Sequence, residues 1–470
     1  MEELFERITE NNLWRQRRCI NLIPSENTTS PLVKACEIAD PAGRYAEHRT
    51  MKGKEVYFYQ GTDFIREIEN QVKDALCEYF DCTQVEPRPI SGQMANEVAF
   101  KANVKFRNRS TPDGVFRKLR CVMNNELAKG GHLSSQPMGA LFNYVEIDPD
   151  TGKENCINLP VREDNSYKID VDRMLELVDR HRPELVVFGK SMFIYPEPVT
   201  ELAEHVESWE DRPVIMYDMA HVLGIYGAFQ DPLKEGADLV TGSTHKTFFG
   251  PQRGVVISNM DKKTPLRKLW LDVKSRAFPG STSNHHLATL VGLLAATMEM
   301  NAFKKDYQSQ VLANAKAFAK HLADNGLTVE GDPADGYTST HQVLIRVSDH
   351  GDGADIARRL EENNIIVNYQ GLPDDKSFLV SSGIRTGVSE MTRFGMDEDD
   401  FGPVAELMAR VIKNDEEVAE EVADYRSKFL NMRYILPLEK TLELFTNALH
   451  SAFPNNDYAK AISQNLQGRS

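Results

Sequence analysis

Lys246 stands in "DLVTGSTHKTFFGPQRGVVISN", between two β-like runs and flanked by small hydroxyl residues, a histidine and a Gly-Pro. A lysine at a strand end is ordinarily a solvated charge. A phosphate-cradling P-loop is excluded, because it needs glycine directly before its Lys-Thr and His245 occupies that place. The remaining chemistry is nucleophilic: an amine that condenses with an aldehyde.

That chemistry needs companions, and pyridoxal phosphate is the aldehyde cofactor that defines them. Its pyridine nitrogen calls for a carboxylate, and its phosphate for N–H groups and hydroxyls at a helix start. An amino-acid carboxylate calls for an arginine fork. Asp218 ends the apolar run "PVIMYD". Ser91-Gly92-Gln93 lies just ahead of a helical run, His132 follows two glycines in "KGGHLSS", and Arg385 is flanked by glycines in "SSGIRTG". Each signal is weak alone; an aspartate at a strand end is usually a cap, and a Gly-Gly-His usually a loop. Their combination and order carry the argument.

The elements that must position them follow from periodicity. "DFIREIENQVKDALCEYF" puts Phe64, Ile68, Val72, Leu76 and Phe80 at four-residue spacing, an amphipathic helix. "ELVVFGKS", "PVIMYDMAH" and "RGVVISN" are short apolar runs, and "ELAEHVESW" between the first two reads as a helix. This is the signature of a mainly parallel sheet covered on both faces, with ligands beyond the carboxyl ends of its strands. "LATLVGLLAATMEM" reads as a buried helix, too short to cross a bilayer.

Near residue 300 the rhythm restarts. "QVLANAKAFAKHLADNGL" reads as a helix stopped by Asn325-Gly326, followed by "HQVLIRV" as a strand, "GADIARRLEENN" as a helix and "IIVNYQ" as a strand. The expected organisation is an N-terminal helix and arm (1–45), a large α/β domain (46–300), and a smaller C-terminal α/β domain with a charged helical tail (301–470).

The 470 residues carry a net charge of −15, which argues against nucleic acid as a main partner. Six scattered cysteines without C-x-x-C spacing suggest reduced thiols rather than zinc ligands or a disulfide framework, and no metal is expected. The charged N-terminus lacks an apolar signal core, so a cytoplasmic protein without membrane contact is expected.

The chain resembles the serine hydroxymethyltransferase family over roughly residues 15–400. The resemblance rests on "NLIPSENTTSP", "RYAEH", "FYQG", "SGQMAN", "KGGHLS", "DMAHVLG", "STHKTFFGP", "IIVNYQGLPDD" and "SSGIRTG". It implies the α/β fold of PLP-dependent transferases (fold type I) and identifies Lys246 as the lysine that bonds covalently to the cofactor. By position, Asp218 matches the partner of the pyridine nitrogen, and His132 the residue stacked on the ring. Ser91, Gly92 and Gln93 match the phosphate cup. Ser191, His221, Ser243 and His245 match further cofactor contacts. Arg385 matches the carboxylate clamp, assisted by Ser25. Glu47 matches the carboxylate that handles protons at the reacting hydroxyl, with Tyr45 and Tyr59 around substrate and phosphate. Some of these come from a neighbouring subunit in the family, so the resemblance implies a homodimer acting on a small amino acid.

The chain also departs from the family pattern. Gln93 replaces a serine of the phosphate cup, Phe58-Tyr59 replaces a tyrosine pair, and Gln370 replaces an asparagine; the last two positions help to hold folate. The glycine-rich loop after "FPG" becomes Ser281-Thr282-Ser283-Asn284-His285, the segment between "YAEH" and "FYQG" is a few residues longer, and "GPQRG" replaces Gly-Pro-Arg-Gly-Gly. Several variants, "SNHH", "THQV" and "IRTGVSEMTRFGM" among them, are similar to those of threonine transaldolases, which need no folate. Two activities therefore stand at this stage: a tetrahydrofolate-linked serine/glycine hydroxymethyltransferase, and a folate-independent threonine aldolase or transaldolase. An idle scaffold is disfavoured, because Lys246, Asp218 and Arg385 are all present.

Overall fold

A computed structural model describes residues 1–470 except 53, 112–114, 262, 376–380, 454–456, 458–459, 462–463 and 465–470. The end of the expected tail thus lies outside the described residues. A central sheet has seven strands: β1 (Gln84–Glu86), β2 (Val122–Asn125), β3 (Cys156–Leu159), β4 (Leu185–Gly189), β5 (Val214–Asp218), β6 (Leu239–Ser243) and β7 (Gly254–Ser258). Their spatial order is β1-β7-β6-β5-β4-β2-β3. Only β7 runs antiparallel to its neighbours; the others are mutually parallel. Every residue of β2, β4, β5, β6 and β7 is buried, the pattern of strands covered on both faces. This is the expected mainly parallel α/β sheet.

Helix α1 (Asp63–Phe80) packs through Ile65, Ile68, Val72, Leu76, Tyr79 and Phe80. Phe64 does not belong to this face and is 54 % exposed. The other four residues of the expected spacing, Ile68, Val72, Leu76 and Phe80, are buried, and at the first turn Ile65 takes the inward place instead, since a one-residue step turns a helical side chain by about 100°. Helix α2 (Gly92–Arg107) opens on Ser91, whose Oγ accepts the N–H of Met94 at 3.1 Å, a cap that fixes its start at the sheet edge.

The second sheet holds β8 (Thr328–Val329), β9 (Gln342–Arg346), β10 (Asn368–Gln370) and β11 (Gly383–Gly387), antiparallel in the order β8-β9-β11-β10. "IIVNYQ" is not one strand. Ile365–Ile366 pairs with Ile20–Asn21 of the N-terminal arm, and only Asn368–Gln370 joins the four-stranded sheet.

No break occurs at residue 300. A single helix, α3 (Leu287–Asp324), runs for 38 residues through the place where the pattern restarts. Between Gly292 and Gly326 the sequence has neither glycine nor proline, so the polar stretch "NAFKKDYQ" changes the face of the helix without ending it. The end comes at Asn325-Gly326, where Gly326 takes φ +80°. The acidic stretch beyond residue 412 is also not one helix: Phe401–Asn414 stops at Asp415 (φ 56°), and Ala419–Arg426 forms a separate short helix.

The six cysteines are free thiols. Among the described residues no helix is long and apolar enough to span a membrane, and no cluster of three metal-ligating side chains occurs.

Candidate active site

Parallel strands β5 and β6 end at the same edge of the sheet, which brings Asp218 and Ser243 there as their last residues. The Lys246 loop is pinned by its own backbone. Gly250 N–H donates to Thr244 O at 2.7 Å, Thr244 N–H to Arg253 O at 3.0 Å, and Thr244 Oγ1 to Pro251 O at 2.6 Å. Around the lysine itself, Asn27 Nδ2 donates to Lys246 O at 3.0 Å, Tyr307 OH to Thr247 O at 2.7 Å, and Thr247 Oγ1 to His221 O at 3.1 Å. A main chain held at this many points leaves only the side-chain torsions to place Nζ, which lies 3.4 Å from His221 Nε2.

Burial pushes the Lys246 amine down to about 8; Asp218 opposes this and the Arg385 charge adds to it. Asp218 is 1 % exposed, yet its carboxyl is held below the ordinary carboxylate range. Burial alone would raise it, but four donors outweigh that. His132 Nδ1 lies 2.5 Å from Oδ2, Asn96 Nδ2 donates to Oδ2 at 2.7 Å, Ser135 Oγ to Oδ2 at 3.3 Å, and Ala220 N–H to Oδ1 at 3.0 Å. The rings of His132 and His221 meet edge-on, with centroids 5.4 Å apart. Burial, then the Lys246 charge, pushes His221 well below its ordinary value and His245 down to about 4, so both are neutral rings.

The start of α2 is drawn tightly against this edge. A Cβ on Gly92 would lie 2.1 Å from Ser243 Oγ, and one on Gly254 would lie 2.0 Å from Ser91 O. Only glycine allows that approach. The N–H groups of Gly92 and Gln93 face out at the first turn, where no intrahelical acceptor exists. Gln93 is exposed at the mouth.

Arg385, on β11, crosses from the second sheet. Its Nε donates to Asn368 Oδ1 at 3.0 Å and its Nη1 to Ser191 O at 2.8 Å, and burial pushes it down to about 10, still a cation at neutral pH. The cleft it enters measures about 170 Å³ and is lined by Gly130, Gly131, Ser191, Met192 and Gln370. Ser25 is elsewhere, in the wall of a cavity of about 560 Å³ with His245, Pro251 and Gln252. Among the described residues no hydrogen bond joins it to Arg385.

Tyr45, Glu47 and Tyr59 flank an antiparallel hairpin, His48–Met51 with Lys54–Tyr57. Tyr45 and Tyr59 are 51 % and 42 % exposed, with ring centroids 5.2 Å apart. Among the described residues, no hydrogen bond, ion pair or ring contact joins these three to the lysine loop.

Sequence reasoning missed Asn96, which accepts from Thr241 Oγ1 at 2.5 Å while donating to Asp218 and thus ties α2 to β5 and β6. It also missed His341, whose Nε2 lies 3.0 Å from Pro24 O and whose ring burial pushes down to about 3. An asparagine one turn into a helix and a histidine starting a strand carry no spacing signal. "SGQMAN" did contain Asn96, but its partners lie far along the chain.

The residues fit pyridoxal phosphate. A fixed carboxylate surrounded by donors suits a protonated ring nitrogen, and free N–H groups at a helix start suit a phosphate. Among the described residues the buried Nδ1 atoms of His221 and His245 have no hydrogen-bond partner, as expected of groups that face a bound molecule.

A family model for serine hydroxymethyltransferase matches residues 1–408. The serine hydroxymethyltransferase of Pyrobaculum aerophilum is 37% identical over 446 residues, covering 94% of this chain and 96% of that protein. That of Staphylothermus marinus is 38% identical over 441 residues, covering 92% and 93%. Among solved structures, an L-threonine transaldolase from Pseudomonas fluorescens superposes with a TM-score of 0.79 at 27% identity, covering 95% of this chain and 97% of that one. A family model that spans most of the chain, with relatives aligned nearly end to end, settles the affiliation: this chain belongs to the serine hydroxymethyltransferase family.

Proposed function

We propose that the protein breaks and forms the Cα–Cβ bond of a β-hydroxy amino acid with pyridoxal phosphate as cofactor, interconverting serine and glycine. One observation carries this reading. A buried lysine amine lowered to about 8 feels the charges of a fixed carboxylate, Asp218, and of a buried arginine, Arg385. When bound, pyridoxal phosphate supplies an aldehyde and an electron-withdrawing ring that disperses negative charge from an amino acid's α-carbon.

The chain's own residues do the rest. Lowering Lys246 to about 8 leaves roughly one molecule in ten with a free amine at pH 7, about three hundredfold more than an ordinary lysine. Asp218 stays anionic and would hold a proton on the ring nitrogen of a bound cofactor; such preorganised charge is commonly the largest catalytic term. His132, locked by Asp218, offers a ring face for stacking. Ser91, Gly92, Gln93 and Ser243 surround the place for the phosphate, with His221, His245 and Ser191 around the remaining cofactor edge. Arg385 is steadied by Asn368 and Ser191, and its Nη2 edge is left for the amino-acid carboxylate. That clamp sets which bond of the α-carbon is exposed to cleavage.

Glu47 moves the proton of the substrate hydroxyl, with Tyr45 and Tyr59 beside it and Ser25 assisting at the carboxylate. The hairpin groups stand away from the lysine of their own chain. We therefore place them in the cleft of a second copy, which makes a homodimer the active unit. A second reading, transfer of glycine from threonine to another aldehyde without folate, is favoured by the likeness to a threonine transaldolase and by Gln370 in the cleft wall. Holoenzyme given serine, with and without tetrahydrofolate, decides between them. Glycine formed only with the pterin supports the first; acetaldehyde released from threonine with serine inert supports the second. Turnover of neither amino acid rejects both.

A further inference from the structure

Glu69 lies on the apolar face of α1, 1 % exposed. Its carboxylate gathers three side chains from two other segments. Tyr57 OH donates to Oε2 at 2.7 Å, His48 Nε2 lies 3.5 Å from Oε2, and His285 Nε2 lies 2.8 Å from Oε1. His48 and Tyr57 are direct cross-strand partners in the hairpin, and their rings stack at 4.4 Å. Glu47 directly precedes His48, and Phe58-Tyr59 directly follows Tyr57. One carboxylate thus grips the base of the hairpin where its strands part.

The other end of the network reaches the lysine strand. Arg253 Nη2 donates to His285 Nδ1 at 3.1 Å, which leaves the ring proton on Nε2, facing Glu69. Arg253 Nη1 also donates to His285 O at 2.6 Å, His286 O at 3.0 Å and Thr289 Oγ1 at 2.9 Å, and Nη2 to Pro87 O at 2.9 Å. Its own carbonyl accepts the N–H of Thr244, and Gly254 beside it lies against Ser91. Burial would raise Glu69, but His285, His48 and Lys73 hold it down at about 2, so the centre of the network is an anion at any working pH.

Two of the departures from the family pattern, the longer hairpin segment and the Ser281–His285 replacement, touch this carboxylate, and a third, "GPQRG", reaches it through the Arg253–His285 contact.

We propose that Glu69 is a positioning residue: through His48, Tyr57 and His285 it sets where Glu47 and Tyr59 stand, and so selects which aldehyde the enzyme releases and accepts. This rests on the reading of Glu47 given above. A merely structural Glu69 would, when replaced, weaken every step together. A positioning Glu69 acts only on steps at the β-carbon, because Lys246, Asp218 and Arg385 make no contact with it among the described residues.

The test compares native holoenzyme with Glu69→Gln, Glu69→Asp and Tyr57→Phe. It reads bound cofactor by absorbance, the glycine dissociation constant by spectral titration, and kcat and KM for serine (with tetrahydrofolate) and threonine. A displacement on the ångström scale at the reacting atoms costs roughly ten- to a hundredfold, so Glu69→Gln should lose that much kcat. Cofactor content and glycine affinity should stay within about twofold, and the serine-to-threonine ratio of kcat/KM should shift several-fold. Glu69→Asp should recover part of the loss, and Tyr57→Phe should show the same split more weakly. An unchanged substrate ratio, or glycine affinity falling in step with kcat, overturns the inference. Should Glu69→Gln not fold, Tyr57→Phe reads the same two outcomes. A native enzyme that cleaves neither amino acid overturns the reading of the site itself, which a native enzyme with unaltered variants does not.

Discussion

Asp218 and Glu47 are two carboxylates assigned to one reaction, and their surroundings are opposite. Asp218 is buried at a strand end among four donors. Glu47 stands half-buried beside a hairpin whose aromatic neighbours face solvent, and among the described residues only its main chain is engaged, accepting from Phe58 N–H at 3.0 Å. The difference separates two kinds of catalytic group. One has its charge, orientation and dielectric built by its own chain before anything binds. The other, in the proposed dimer, is held in place by a scaffold while its working environment comes from the second copy. Groups of the first kind should fail whenever they are altered; groups of the second kind should fail selectively.

The sharpest way to break this division is at the lysine. Lys246→Met should lower turnover by about ten thousandfold or more, since it removes the amine proposed to bond the cofactor. The same change should stabilise the cofactor-free protein by about 1–3 kcal/mol at pH 7, because burying the ammonium is costly. The folded lysine titrates near 8 against 10.5 for the ordinary group, so that cost is complete below pH 8 and fades as pH rises towards 10.5. Urea unfolding of both proteins across that range should show the gap closing; a gap independent of pH would mean that Lys246 is not desolvated.

Asp218→Asn comes next, with a loss of about a hundred- to ten thousandfold and weakened cofactor retention, because an amide cannot hold the ring proton or lock His132 as the carboxylate does. Glu47→Gln should cost about a hundredfold in cleavage of a β-hydroxy amino acid, the ordinary scale of acid–base assistance. Its glycine affinity and cofactor content should match the native protein, and equal losses in all three would erase the distinction between the two regions. Last and smallest, the rate of cofactor uptake by the stripped protein should rise about tenfold between pH 7 and pH 9 and level off, following the free-amine fraction of a group near 8.

The lysine cleft was far easier to read from sequence than its surroundings, and the reason is geometric. Lys246, Asp218 and Arg385 each sit at the end of an apolar run or between glycines and Ser91 just ahead of a helical run, so spacing singles them out as candidates and the family resemblance supplies their roles. Asn96 and Arg253 act through partners brought together only by the fold, and nothing near them in the chain marks those partners. Glu69 did leave a trace: it lies four residues after Ile65 on a buried stripe, where a carboxylate is anomalous. Strand and helix types were mostly legible, whereas continuity was not: a change of polarity near residue 300 resembled a boundary although nothing there breaks a helix.

The unbroken span from Leu287 to Asp324 has a mechanical consequence. At 1.5 Å per residue it is a rod of about 57 Å, anchored beside the His285 segment at one end and the second sheet at the other. A continuous hydrogen-bond ladder makes this rod stiffer than the chain at its ends, so relative motion of the two sheets should concentrate at its tips, Asn325-Gly326 among them. A tilt of about 5° would carry the far tip about 5 Å.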